Sequence, residues 1–167
     1  MLMAESFTAK AMGLKADSEQ LEKIADYYGK GNVDYTQVPR DVDVSDRAQS
    51  AIDANMAEAK TVDAAAKAQL ATAVPYYATG TVNAVALPGE YAAWTNRAQA
   101  GVANLKSNPV AAASNAGLIN QVPKVAQLTT QLPGLVQKWT TVTKNFLTFS
   151  KKHDVNTGDL AAKVGTL

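Results

Sequence analysis

The sequence predicts an all-α fold: an antiparallel bundle of four or five helices of unequal length, two of them long and proline-kinked. Three observations carry that expectation. Hydrophobic residues make up 47% of the 167 residues but aromatic residues only 7%, so alanine supplies much of the apolar content. Alanine has the highest helix propensity and buries little area, which favours closely approaching helices around a thin core. Apolar residues recur at three- and four-residue spacing along most of the chain rather than alternating. Finally, one apolar series keeps its phase through a proline: Val125, Leu128, Leu132, Leu135, Trp139, Val142, Phe146 and Phe149. Their alternating spacing of three and four is a helix seam.

Taken in order, residues 1–16 show no strong period and are expected to form a loose lead-in. Residues 17–167 are expected to form a single helical-bundle domain. Asp17 with Gln20 resembles a capping box that opens the first helix, whose stripe is Leu21, Ile24, Ala25 and Tyr28. Gly29 or Gly31 ends it. "NVDYTQVPRDVDV", residues 32–44, reads as an extended connector around Pro39. Asp46 with Gln49 repeats the capping device, and Ile52, Met56, Ala59, Ala66 and Leu70 then carry a second helix toward Pro75. A turn near Gly80 leads to a third helix from about Thr81 to Leu105, with a kink or restart at Pro88. Asn108 caps a short helix with Pro109 at its first position, where a missing N–H costs nothing. Pro123 stands in the first turn of the last long helix, expected to run unbroken but bent through Pro133 from about 122 to 152. "TGDLAAKVG" adds one or two frayed turns.

The chemistry on offer is sparse. Cysteine is absent and His153 is the single histidine, so thiolate and multi-histidine metal sites are excluded and no metal or other cofactor is expected. His153, at the predicted end of the long helix, interacts favourably with the helix dipole and has Asp154 beside it as a pairing partner. No serine lies in a G-x-S-x-G elbow, and the nearest approach to a phosphate loop, "GKG" at 29–31, ends a helix instead of opening one. "DVDVSD", Asp41 to Asp46, lacks the spacing and distal Glu of a calcium loop. An enzyme using Glu90 or Asp154 with His153 is the least favoured of three functional readings.

Charge is unevenly spread. Residues 91–153 contain no Asp or Glu and carry a formal +7, whereas residues 1–90 carry −5. Lys124, Lys138, Lys144, Lys151 and Lys152 form the expected basic face. With Val125, Leu132, Trp139 and Phe146 as seam positions, Lys124, Lys138 and Lys152 flank the seam, where interhelical ion pairs to acidic neighbours form. The alternative is contact with an anionic surface. The charges are too dilute for nucleic acid.

Tyr76 and Tyr77 follow Pro75, and Tyr91 and Trp94 follow Pro88. If 75–94 folds back as a bent hairpin, these rings line one pocket, with Pro133 and Trp139 contributing from the long helix. Two further readings follow. The first is a non-enzymatic interaction or scaffold protein, with another protein or a cell-envelope component as partner. The second is a binding bundle that holds an apolar small molecule or lipid between kinked helices. No membrane span is expected, though peripheral membrane contact fits the basic face. Helix exteriors rich in Thr, Asn, Gln and Ser point to a periplasmic or secreted setting, with the cytoplasm as the alternative. The start has no charged region followed by an apolar stretch, so it is not read as an intact signal peptide. The mature remainder of an exported protein or a true cytoplasmic N-terminus would both fit it.

Overall fold

The computed structural model describes residues 1–31, 34, 36–117, 119–120, 122–123 and 132–165, and it is all-α. Among these residues seven helices occur: α1 (Leu2–Ala11), α2 (Lys15–Gly29), α3 (Val38–Glu58), α4 (Ala64–Lys106), α5 (Pro109–Ser114), α6 (Leu132–Lys152) and α7 (Leu160–Val164). By its internal contacts the chain divides into two compact units. One comprises Met1–Thr81 with Thr140–Leu167, the other Val82–Trp139.

In the first unit α1 packs on α2, and both touch α3. The expected loose lead-in is therefore a helix. Its inward residues explain why no apolar period announces it: Ala4, Glu5, Ser6, Thr8 and Ala9 are buried, and three of these five are polar. It ends in a Schellman motif. Gly13 takes φ +76, Leu14 N–H donates to Ala9 O at 2.8 Å, and Gly13 N–H donates to Lys10 O at 3.1 Å.

The helix starts expected at Asp17 and Asp46 are displaced. α2 begins at Lys15 with no side-chain cap, so Asp17 lies in its first turn, where a carboxylate favours the positive end of the helix dipole. α3 begins at Val38, inside the expected connector, with Pro39 in the first turn that tolerates proline. Asp46 is then interior to the helix. The helix expected to continue from Ile52 to Pro75 is interrupted: α3 ends at Glu58 and Ala59 turns extended with ψ 114. α4 opens behind Asp63, whose Oδ1 accepts from Ala66 N–H at 2.7 Å.

α4 then passes Pro75, Gly80 and Pro88 without a break, so neither the turn near Gly80 nor a restart at Pro88 exists. α5 forms as expected, its cap Asn108 accepting from the N–H groups of Val110 and Ala111 at 3.2 Å each. Of the C-terminal seam, Leu132, Trp139, Val142, Phe146 and Phe149 are buried, but Leu135 is 38% exposed. Val125, Leu128, Lys124 and the continuity of the helix over 124–131 lie outside the described residues. α7 is not frayed: Leu160 is 0% and Val164 7% exposed, so its short turn is anchored by apolar burial.

Candidate functional site

Polar side chains line much of the interior of the first unit. Ser45 Oγ donates to Glu5 Oε2 at 2.6 Å, linking α3 to a carboxylate with no exposed surface. Ser6 Oγ donates to Glu22 Oε1 at 3.1 Å and also contacts Ser18 Oγ at 3.1 Å. A hydroxyl has one proton, and the carboxylate can only accept, so Ser18 donates to Ser6 and Ser6 to Glu22. Lys10 completes the chain on Glu22, and its hydrogen bond, the largest influence, holds the Glu22 carboxyl below its ordinary range. Thr8 Oγ1 spends its proton on Ala4 O at 2.8 Å, which leaves the Tyr77 hydroxyl, 3.3 Å away, to donate to Thr8. At the junction of α2 and α3, Tyr28 donates to Asp41 Oδ2 at 2.7 Å. Desolvation and this carboxylate push its phenol up to about 12. These contacts order the helices but present no open cleft, because Glu5, Ser6, Thr8 and Ser18 reach no solvent.

His153 caps α6. Asp154 follows in the left-handed region at φ 56, and Val155 N–H returns to Ser150 O at 2.9 Å, the same capping motif as on α1. The imidazole packs against Phe149 with ring centroids 4.4 Å apart. It does not pair with Asp154 as expected; Nε2 is buried with no hydrogen-bond partner among the described residues.

The expected pocket residues fall in both units, Tyr76 and Tyr77 in the first and Tyr91, Trp94, Pro133 and Trp139 in the second. A pocket made by folding 75–94 into a hairpin requires a chain reversal, and α4 has none there. Tyr77 is core: it is 1% exposed and stacks on Phe146 at 4.2 Å. Burial, the first cause, pushes its phenol well above the ordinary range. Tyr76 is 40% exposed and stacks on Phe7 at 5.5 Å. In the second unit, Tyr91 and Trp94 form a tilted pair at 5.9 Å, Pro133 is exposed and Trp139 is 3% exposed. Of the basic face, Lys144, Lys151 and Lys152 are exposed and Lys138 half-buried. The two ion pairs described, Lys10–Glu22 and Lys163–Asp159, do not join the acid-rich first half to the acid-free stretch. Two open cavities are described in the first unit. One of about 490 Å³ is lined by Gln20, Arg40, Asp43, Val44, Asp46 and Arg47, and one of about 320 Å³ lies beside Glu58 and Asp63.

The sequence reading missed the outer side of α4 within the second unit. Ala84, Pro88, Tyr91, Thr95, Ala98, Val102 and Leu105 are the covered positions, spaced four and three alternately. A second series with the same spacing, Val82, Ala86, Gly89, Ala93, Asn96, Ala100 and Ala103, lies on the opposite side and is exposed throughout. Val85 borders it, and Val82 and Val85 are 52% and 53% exposed. An ordinary surface helix carries polar residues there. The signal was present as two interleaved seams, which a search for one apolar face does not register.

Among the described residues no helix is long and apolar enough to cross a membrane. Comparisons with family models, with curated proteins and with solved structures return no match.

Proposed function

We propose that the chain is a non-enzymatic interaction or scaffold module whose docking face is the outer side of α4 between Val82 and Ala103. One observation carries this reading. Among the described residues, four of the nine exposed large apolar side chains lie within one short stretch of α4 (Val82, Val85, Leu87 and Trp94). Scattered apolar residues on a surface need no explanation, but a concentration along one helix marks a contact face. The uncharged polar exterior, with Asn83, Asn96, Gln99 and Asn104 around this face, fits the periplasmic or secreted setting proposed for the chain.

A photo-cross-linking residue placed at Val85 in producing cells tests the reading, with Ala98 on the covered side as control. Discrete adducts from position 85 and none from position 98 are expected. Absence of adducts from 85 and from Ala93 ends the proposal. So does an activity that vanishes with one named side chain while the fold persists. The alternative, an apolar small molecule or lipid held by the protein, rests on the Tyr91–Trp94 pair and predicts a change in tryptophan fluorescence on titration with an apolar dye.

A further inference from the structure

We infer that the occupant of the outer α4 face is the same face of a second copy of this chain, running antiparallel; the inference rests on the interaction reading above. The exposed seam spans residues 82–103, about 32 Å of helix at ~1.5 Å per residue. Its members are short: four alanines, one glycine, one valine and one asparagine. Short side chains reach little way into a lipid layer, but they let two helix backbones approach closely, provided that the facing seam is equally short. The face is thus complementary to itself.

Charge supplies the orientation. Glu90 and Arg97 stand one heptad apart on the same edge of the seam, and Glu90 is the only acidic residue between Val82 and Trp139. Both are exposed, and no ion pair is described for either. In an antiparallel pair, equivalent edges face each other. Layers Ala86–Ala103, Gly89–Ala100 and Ala93–Asn96, each repeated by the two-fold axis, then bring Glu90 of each copy to Arg97 of the other. A parallel pair would set this edge against Ala92 and Gln99 and leave both charges without partners. The two-fold arrangement closes on itself and yields a dimer rather than a filament. Asn96, the one polar seam residue, falls beside the axis and faces the short Ala93 of the other copy.

Sedimentation of the full chain over a wide concentration range tests this. A reversible monomer–dimer equilibrium is expected. Ala93→Arg, at an exposed position, should leave the helical circular dichroism unchanged and weaken the dimer at least about tenfold. Glu90→Arg should weaken it by roughly a similar factor through facing like charges, and adding Arg97→Glu should restore it to within about threefold. Because the chain has no cysteine, Ala93→Cys mixed with Asn96→Cys should form the mixed disulfide ahead of either homodisulfide. A chain that stays monomeric overturns the inference, as does a dimer indifferent to Ala93→Arg or a charge swap without rescue. Binding of the monomer to phosphatidylglycerol vesicles that Ala93→Glu abolishes assigns the face to lipid and overturns it too. A monomer that still gives cross-links from Val85 to a different protein sinks the self-association and leaves the interaction reading intact.

Discussion

Ser6 and Ser18 share one hydrogen bond, yet removing either partner should have unequal consequences. Both residues are 0% exposed, and the proton order runs from Ser18 to Ser6 to Glu22. Ser18→Ala deletes the first donor, and Ser6 still donates to Glu22, so the cost is that of one neutral bond, about 1 kcal/mol. Ser6→Ala removes the bond to a charged acceptor, roughly 1.5–3 kcal/mol, and also strands the buried Ser18 hydroxyl; about 2–4 kcal/mol in total is expected. In the double variant the stranded hydroxyl is gone. Its cost should be close to that of Ser6→Ala alone, a coupling of at least about 0.5 kcal/mol. Urea unfolding followed by circular dichroism, with an unchanged denaturant slope, provides the numbers. Equal costs for the two single variants, or strict additivity in the double, would refute the proton order. Either result would mean that Ser18 finds another acceptor, such as a carbonyl one turn back in α2.

Three other outcomes follow from the same structure. Gly13→Ala should cost about 1–2 kcal/mol, since φ +76 strains any L side chain, although nothing lies within 4 Å of the new Cβ. Gly29→Ala, helical and equally uncrowded, should instead stabilise by up to about 1 kcal/mol; the two thermal midpoints should move in opposite directions. Leu160→Ala should cost about 2–4 kcal/mol by urea unfolding, because Leu160 is 0% exposed, whereas a frayed α7 would register almost nothing. Tyr28 should titrate near 12 in the ultraviolet. Because its folded pKa lies above the ordinary value near 10, its contribution is complete below pH 10 and lost as pH rises toward 12. The stability difference between the wild type and Tyr28→Phe should shrink over that window, and a difference that does not change would remove the Tyr28–Asp41 bond from the account.

The misplaced boundaries share a physical origin. Ile52, Met56, Ala59, Ala66 and Leu70 keep a helical phase, yet the backbone opens at Ala59 and restarts behind Asp63. Phase records which side faces inward, and a short loop can return the chain to the same side. The converse occurs in α4, where Pro75 and Pro88 each remove one backbone bond without ending a helix of 43 residues. Packing along so long an element outweighs a local cost of about 3 kcal/mol per proline. Asp63 ahead of an alanine-rich run was a legible cap, and Pro39 was a legible first-turn proline of the same kind as Pro109.

The residue order by itself determined the helical class, the start of α5 at Asn108 and Pro109, and the inward side of Leu132, Trp139, Val142, Phe146 and Phe149. Each depends on propensity, capping or periodicity, which act over a few neighbouring residues. Tertiary structure alone decided that α1 is a buried helix and that Glu5, Ser6, Thr8 and Ser18 belong inside. Burying a polar group there costs stability unless a partner meets it. The partners are Ser45 for Glu5, Glu22 for Ser6 and Tyr77 for Thr8, which lie 40, 16 and 69 positions away, beyond the reach of any local pattern.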